Sequence, residues 1–150
     1  MITKNNINIA TSYFYQIRNF KPGMIPVSTC LSDPMWYRPP EGKQWYIDKR
    51  GVVCGLRYEP LIVQRYGNCS CPCLYKNELG GECQTMQEYR QLLEQYVNKE
   101  ETFKAFEHCL NLFNADTIVL IVYETPMNLC SERKALQDFF NCKELEYPIR

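Results

Sequence analysis

The clearest hydrophobic pattern in the chain is an unbroken apolar run at residues 117–123, with the sequence TIVLIVY. Successive residues of a strand point to opposite faces, so a run that is apolar throughout predicts a central parallel strand covered on both faces. Three shorter segments also have strand patterns, and Pro26 places the second of them at a sheet edge or a bulge. These segments are Asn8–Thr11, Met24–Ser28 and Gly51–Gly55.

Apolar residues at helical spacing predict three helices, and a short helix is predicted at Tyr13–Asn19. Ser131 is placed to cap the last of the three. Segments 33–50 and 68–82 contain prolines or glycines and are predicted to be loops. Because strands alternate with helices over a length typical of one domain, we expect a single α/β domain, residues 1–150, with a mostly parallel sheet flanked by helices. The apolar positions are 86, 89, 92, 93 and 96 in the first of the three helices, 103, 106, 110 and 113 in the second, and 135, 136, 139 and 140 in the last.

Charge is balanced overall but uneven along the chain. The chain has 17 Lys and Arg residues and 17 Asp and Glu residues, so its formal net charge is zero. A net charge of zero argues against a protein that coats nucleic acid by bulk electrostatics. Residues 1–66 hold nine basic and four acidic residues, whereas residues 67–150 hold eight and thirteen. The single histidine, His108, lies on a predicted helix and is interpreted as a helix surface residue rather than a catalytic base. The chain is therefore dipolar, with a basic first half.

Nothing in the sequence predicts secretion or membrane contact. The first ten residues contain no continuous apolar segment of the signal-peptide type, and the longest apolar run, residues 118–123, is too short to span a bilayer. We therefore expect a cytoplasmic protein whose nine cysteines are mostly thiols.

Residues 67–84 are predicted to form a Cys-rich loop in which four cysteines lie within a span of fifteen residues. Four thiolates form the ligand set of a tetrahedral structural zinc site, and zinc would order a polar loop of this kind. The spacing C-x-C-x-C-x9-C matches neither a zinc ribbon nor a ferredoxin, so an iron–sulfur cluster and a loop of free thiols are alternatives. Cys30 or Cys54 could replace one ligand. The predicted ligands are Cys69, Cys71, Cys73 and Cys83.

The segment that follows the apolar strand contains a candidate site. Ligands of parallel sheets bind beyond the carboxyl ends of the strands, where residues 123–130 are expected. Cys130 just precedes a predicted helix, whose first N–H groups and Arg133 would favour a thiolate. Cys130 is therefore a candidate nucleophile, Arg133 a charge stabiliser and Glu124 an acid–base group. The same groups could instead hold a phosphate or carboxylate, or Cys130 could be a core residue and Arg133 a surface ion-pair partner.

Hydroxyl side chains at the ends of two other strands are further candidates for ligand binding. Thr11 ends the first strand, Ser12 and Tyr13 follow it, and Ser28 ends the second. If the strands are parallel, Thr11, Ser12 and Tyr13 lie at the same sheet edge as Cys130. Their hydroxyls can bind a ligand there or merely cap a helix.

The Pro-rich loop of the basic half interleaves aromatic and cationic residues. Flat rings next to guanidinium groups suit stacking on nucleobases, which makes Trp36 and Tyr37 candidate ligand-binding residues. The alternative is that the large rings close the edge of the core while the charges face solvent. The other residues of this pattern are Arg38, Lys43, Trp45, Tyr46, Lys49 and Arg50.

Four motifs, in this order, resemble domain-of-unknown-function family four-eight-eight. They cover most of the chain, and some relatives also carry a cysteine-rich insertion. The resemblance implies an α/β fold and a shared pocket, but no established reaction. Members are frequent in microbes and their viruses, which implies a phage or mobile-element origin, and Ser131-Glu132 stands here where many members have histidine. The motifs are IATSYF at Ile9–Phe14, IPVS at Ile25–Ser28, DPMWY at Asp33–Tyr37 and YETP…CSER at Tyr123–Arg133.

Together these residues predict a pocket at the sheet edge that binds or acts on a nucleotide or a nucleic-acid-derived ligand. The alternative is a non-catalytic module that binds a small anion or nucleotide, or a protein-interaction module organised by the Cys-bound metal. Both an enzyme and a binding module are compatible with this set of residues.

Overall fold

A computed structural model describes residues 7–62, 84–123 and 132–146, without the side chains of Gln84 and Thr85. The strands of this described part are β1 (Asn8–Tyr13), β2 (Met24–Ser28), β3 (Tyr46–Ile47), β4 (Val53–Cys54), β5 (Thr117–Val122) and β6 (Lys143–Glu144). The α-helices are α1 (Glu59–Ile62), α2 (Gln84–Tyr96), α3 (Lys99–Leu112) and α4 (Arg133–Phe140). Two 3-10 helices span Phe14–Asn19 and Met35–Tyr37.

β5 lies inside a parallel sheet with the strand order β2-β5-β1-β6. On one side it pairs with β1, from Asn8 opposite Thr117 to Tyr13 opposite Val122. On the other side it pairs with β2 from Met24 opposite Thr117 onwards. All five residues from position 118 to position 122 are buried. The predicted α/β fold with a central strand covered on both faces is therefore confirmed.

The alternating side chains of β5 belong to two separate cores. The helix-side core receives Ile118, Leu120 and Val122, and the hairpin-side core receives Val119 and Ile121. α2, α3 and α4 cover the first face, whereas the 3-10 helices and the β3–β4 hairpin cover the second. The helix-side core includes Tyr89, Leu93, Phe106, Leu110 and Leu136; the hairpin-side core includes Phe14, Ile17, Phe20, Tyr37, Val52 and Cys54.

Pro26 lies in β2, an edge strand of the four-stranded sheet, as its sequence predicts. The backbone N–H of Ser28 points away from β5 and donates to the Leu56 carbonyl at 2.9 Å. Side-to-side alternation along a strand has a period of two, so the missing N–H of Pro26 lies on that same outer side. The proline therefore removes no hydrogen bond from the pairing with β5.

The three long helices form where the spacing of apolar residues predicts them. The predicted buried face of α4, at positions 135, 136, 139 and 140, is buried. The proposed cap of this helix, Ser131, lies outside the described residues. α3 begins after Asn98, whose side-chain oxygen accepts from the Glu101 N–H at 3.0 Å. No helix in the described part of the chain is long and apolar enough to cross a membrane.

The β3–β4 hairpin agrees with the sequence prediction in part. β4 lies within the strand predicted at residues 51–55, whereas β3 lies within residues 33–50, where the sequence predicts a loop. Two-residue strands pair antiparallel, Tyr46 with Cys54 and Ile47 with Val53. The Asp48 carboxylate shapes the turn between them, because it accepts the N–H groups of Arg50 and Val52. Gly51 supplies the positive φ of 87° that the turn needs. A strand of two residues has too few alternating positions for its hydrophobic pattern to be recognised in the sequence.

Candidate functional site

The parallel strands β1, β2 and β5 end side by side, at Tyr13, Ser28 and Val122. We refer to this end of the sheet as the carboxyl edge. Two buried polar clusters and one cavity lie at or next to it. The described candidates that belong to these features are Thr11, Ser28, Trp36 and Arg133. Ser12 is fully buried in β1, and Tyr13 and Tyr37 lie outside the two clusters and the cavity lining.

The first polar cluster is centred on Asp33, whose side chain is only 4% exposed. The Ser28 hydroxyl donates to Asp33 Oδ1 at 2.5 Å, and Arg57 Nη1 donates to Asp33 Oδ2 at 2.6 Å. Burial lowers the pKa of the Arg57 guanidinium, but the hydrogen bond and charge of Asp33 outweigh it, so the pKa is raised overall. Asp33 thereby ties the loop after β2 to the segment after β4. Ser28 is inaccessible and serves this contact.

The second polar cluster joins α4, β6 and β1. Arg133 Nε lies 2.7 Å from Glu144 Oε1, and the Thr11 hydroxyl donates to the same carboxylate oxygen at 2.8 Å. Gln137 Nε2 donates to Thr11 Oγ1 at 2.8 Å. Thr11 and Arg133 are both buried. Their polar atoms therefore hold three elements of the fold together.

Next to this cluster, Cys30 lies against the first residue before α4. Its Sγ is 3.7 Å from the Ile121 carbonyl oxygen and 3.8 Å from Glu132 Oε1. Both Cys30 and Glu132 are buried. Burial, and then the charges of Glu132 and Cys30, raise the pKa of the Tyr89 hydroxyl well above its usual value. These groups form a closed polar contact beneath the carboxyl edge.

A cavity of about 620 Å³ opens at the carboxyl edge on the side of the β3–β4 hairpin. Its lining combines the first 3-10 helix, the second 3-10 helix, the hairpin and the residue that follows β5. Ile17 and Cys54 are its buried aliphatic and thiol groups. We refer to it as the aromatic cavity, because five of its described lining residues are Phe14, Tyr15, Trp36, Tyr46 and Tyr123.

The rings of the aromatic cavity are arranged around Phe14. The Phe14 centroid is 6.2 Å from that of Trp36, at an interplanar angle of 88°, and 4.9 Å from that of Tyr123. Phe14 is buried, whereas Tyr15, Trp36 and Tyr123 are 58%, 53% and 45% exposed. The cavity therefore has an apolar floor and a rim of exposed flat rings.

Two arginines add positive charge to the aromatic cavity. The guanidinium carbon of Arg18 lies 3.9 Å from the centroid of the Tyr15 ring. Arg50 pairs with Asp48 at 2.7 Å and also donates to the carbonyls of Arg18 and Phe20. Arg50 is thus held in place by the backbone of the first 3-10 helix, whereas the Arg18 guanidinium lies over an exposed ring.

Titratable groups in the cavity are shifted by burial and by Arg50. Burial raises the pKa of Asp48, but hydrogen bonds from the Val52 backbone and from Arg50 outweigh it and lower the pKa overall. Burial, and then the Asp48 charge, raise the pKa of the Cys54 thiol to about 11. At neutral pH the cavity therefore holds a charged Asp48–Arg50 pair and a protonated thiol.

The predicted ligand-binding residues fall in different places. Trp36 lines the aromatic cavity, and Tyr13 lies with its ring centroid 6.0 Å from the Arg133 guanidinium. Tyr37 is fully buried, with its hydroxyl 2.9 Å from the Pro26 carbonyl oxygen and 2.7 Å from that of Leu56. The candidates outside the described residues are Glu124, Cys130, Cys69, Cys71, Cys73 and Cys83.

No group of three or more metal-ligating side chains occurs within residues 7–62, 84–123 and 132–146. The four cysteines of this part, Cys30, Cys54, Cys109 and Cys142, do not form disulfide bonds. Burial raises the pKa of Cys109 to about 11, and burial and then the Glu144 charge do the same for Cys142. The Cys109 and Cys142 thiols are accordingly protonated near neutral pH.

Sequence reasoning missed the contribution of the first 3-10 helix and the role of Asp33. The sequence does contain a local signal that this helix could line a ligand site. Phe14, Tyr15 and Arg18 place two aromatic rings and a cation directly after β1. The partner of Asp33 is Arg57, 24 residues away, which no local pattern indicates.

Comparisons with protein-family models, with curated proteins and with solved structures found no match to this chain. The resemblance to family four-eight-eight accordingly stays a prediction from motifs, and the site is interpreted from its own residues.

The Asp33 cluster predicts a large loss of stability when its carboxylate is removed. Asp33→Ala leaves the partly buried Arg57 without its charge partner and should lower the free energy of unfolding by about 3 kcal/mol, measured by urea denaturation. The matched control is Asp138→Ala, because Asp138 makes a 2.7 Å contact with Arg90 on the surface and should cost under about 1 kcal/mol. Equal losses in the two variants would mean that Asp33 is not a structural anchor.

Proposed function

We propose that this protein binds a nucleotide, with the base in the aromatic cavity. The observation that carries the proposal is the combination of five aromatic side chains and two arginines in one cavity of about 620 Å³. Small-molecule sites in proteins commonly measure about 300–1,000 Å³, so a nucleoside phosphate has the right size.

The chemistry of the lining supports a ligand that is both flat and anionic. Large rings that are half exposed, such as Tyr15 and Trp36, offer faces on which a planar base can stack. A guanidinium is suited to phosphate because it is planar, permanently charged and carries several donors. Arg18 and Arg50 supply this group at the cavity.

The position of the cavity also supports the proposal. Tyr123 directly follows β5 and Phe14 directly follows β1, so both reach the cavity from the carboxyl ends of parallel strands. Ligands of open α/β sheets bind at this end. The nucleotide predicted from the sequence is thus assigned to rings on the hairpin side of the sheet.

Trp36→Ala tests this assignment. One stacking ring contributes about 1–3 kcal/mol, so the variant should bind nucleoside monophosphates at least about fivefold more weakly. Binding of AMP, GMP, CMP and TMP can be followed by calorimetry and, in a Trp45→Phe background in which Trp36 is the single tryptophan, by quenching of Trp36 fluorescence. Tyr96→Ala is the control, because Tyr96 is an equally exposed ring on α2, outside the cavity lining. The proposal is overturned if none of the four nucleotides binds at millimolar concentration.

We further propose that Cys130 is a reactive thiolate that serves the bound ligand, with Arg133 as charge stabiliser and Glu124 as acid–base group. Support comes from the chain order, because Tyr123 lines the cavity and Cys130 lies three residues before the first residue of α4. A helix N-terminus favours an anion, as the sequence predicts.

Alkylation by iodoacetamide across pH, with each labelled cysteine located by mass spectrometry, tests this second proposal. Cys130 should react with a midpoint below the value of about 8.5 expected of a free thiol. The internal controls are Cys54, Cys109 and Cys142, whose pKa values near 11 keep them protonated and unreactive at pH 8. A Cys130 midpoint at or above 8.5 would refute the thiolate.

We also propose that Cys69, Cys71, Cys73 and Cys83 bind one structural zinc ion, on the basis of their spacing. Elemental analysis should find one zinc ion per chain, reduced by Cys71→Ser and retained in the control Cys109→Ser. Iron in place of zinc would support the iron–sulfur alternative, and the absence of both metals would refute a metal site.

A further inference from the structure

We propose that the ligand of the aromatic cavity is a single-stranded nucleic acid, at least two nucleotides long, rather than a free nucleotide. This inference rests on the proposed function, because it assumes that one base stacks on Trp36. It adds that neighbouring bases stack on Tyr15 and Tyr123 and that the phosphates follow the cations beside these rings.

The first argument is the exposure of the rings. Sites for small molecules bury most of the ligand, whereas Tyr15, Trp36 and Tyr123 leave about half of their surfaces in contact with solvent. Single-strand binding proteins use exposed rings of this kind as platforms for successive bases. Three such rings on one cavity exceed what a single base can cover.

The second argument is that rings and cations stand next to each other around the cavity. The Arg18 guanidinium lies over the Tyr15 ring at 3.9 Å. Trp36 and Tyr123 both pack on Phe14, with ring centroids 6.2 Å and 4.9 Å from its own. The charge of Arg38 acts on the Tyr123 hydroxyl. A nucleic-acid strand stacked on Tyr15 and Tyr123 would therefore meet a cation beside each ring.

The third argument is charge complementarity. Within the described residues 7–62 six exposed cations face two exposed acids, although the whole chain has no net charge. A polyanion is attracted to such a surface, and its counterions are released on binding. The exposed cations are Arg18, Lys21, Arg38, Lys43, Lys49 and Arg50, and the exposed acids are Glu41 and Glu59.

The test compares thymidine monophosphate with oligonucleotides of two, four and eight thymidines, which do not stack strongly on themselves. Affinity should rise at least tenfold from one to four nucleotides and should fall with salt by a log–log slope of about −0.7 for each phosphate contacted. Oligouridylates in parallel show whether the strand is DNA or RNA. An affinity for four nucleotides no higher than for the monophosphate overturns this inference and leaves the proposed function standing, whereas failure of every mononucleotide overturns both.

Substitutions of the exposed rings and of Arg38 test where the nucleic-acid strand binds. Tyr15→Ala and Tyr123→Ala should each weaken four-nucleotide binding by about fivefold or more, and Tyr15→Phe and Tyr123→Phe should restore it, because the ring and not the hydroxyl stacks. Arg38→Ala should reduce the salt slope by about 0.7. The controls are Tyr96→Ala and Lys104→Ala on the helix side. Undiminished binding in both alanine variants of the rings, or tighter binding of an acidic peptide than of four thymidines, contradicts the inference.

Discussion

The pairing of β5 with both β1 and β2 is the constraint on which the rest of the described structure depends. β5 is buried on both faces and hydrogen-bonded on both sides, so it cannot move without opening both cores. Because all three strands run in the same direction, Tyr13, Ser28 and Val122 end at one edge. Everything that surrounds the candidate site starts from these three strand ends.

Buried polar contacts then fix the loops that leave this edge. Asp33 has charged and hydroxyl partners inside the fold, and so does Glu144. A buried carboxylate without such partners would be costly, so these contacts specify how the loop after β2 and the strand β6 pack. Several polar residues that resemble ligand-binding groups in the sequence, Thr11, Ser28 and Arg133 among them, have internal partners for this reason.

The aromatic residues near this edge, unlike the buried polar residues, are divided between the core and the surface. Phe14 and Tyr37 pack edge to face at 5.2 Å in the hairpin-side core, while Trp36 and Tyr123 extend from it towards solvent. The buried rings hold the exposed ones in position, so little ordering would remain for a ligand to impose. The Asp48–Arg50 pair similarly fixes one wall, since Arg50 joins the hairpin to the first 3-10 helix.

The sequence by itself determined the elements with strong local periodicity: β5, the edge position of Pro26, and the helices α2, α3 and α4. It also determined which half of the chain is basic and aromatic, and it singled out Trp36, which lines the aromatic cavity. Hydrophobic spacing and residue type are local properties, so they can be read without knowing the fold.

Only the tertiary structure decided which of these residues meet. Thr11 and Glu144 are 133 positions apart, and Asp33 and Arg57 are 24 apart, yet each pair is in direct contact. The aromatic cavity likewise needs the ends of β1 and β5, a loop residue and a hairpin of two-residue strands to converge. Contacts of this kind are set by sheet order and register, which arise from packing of the whole chain and leave no periodic signal along it.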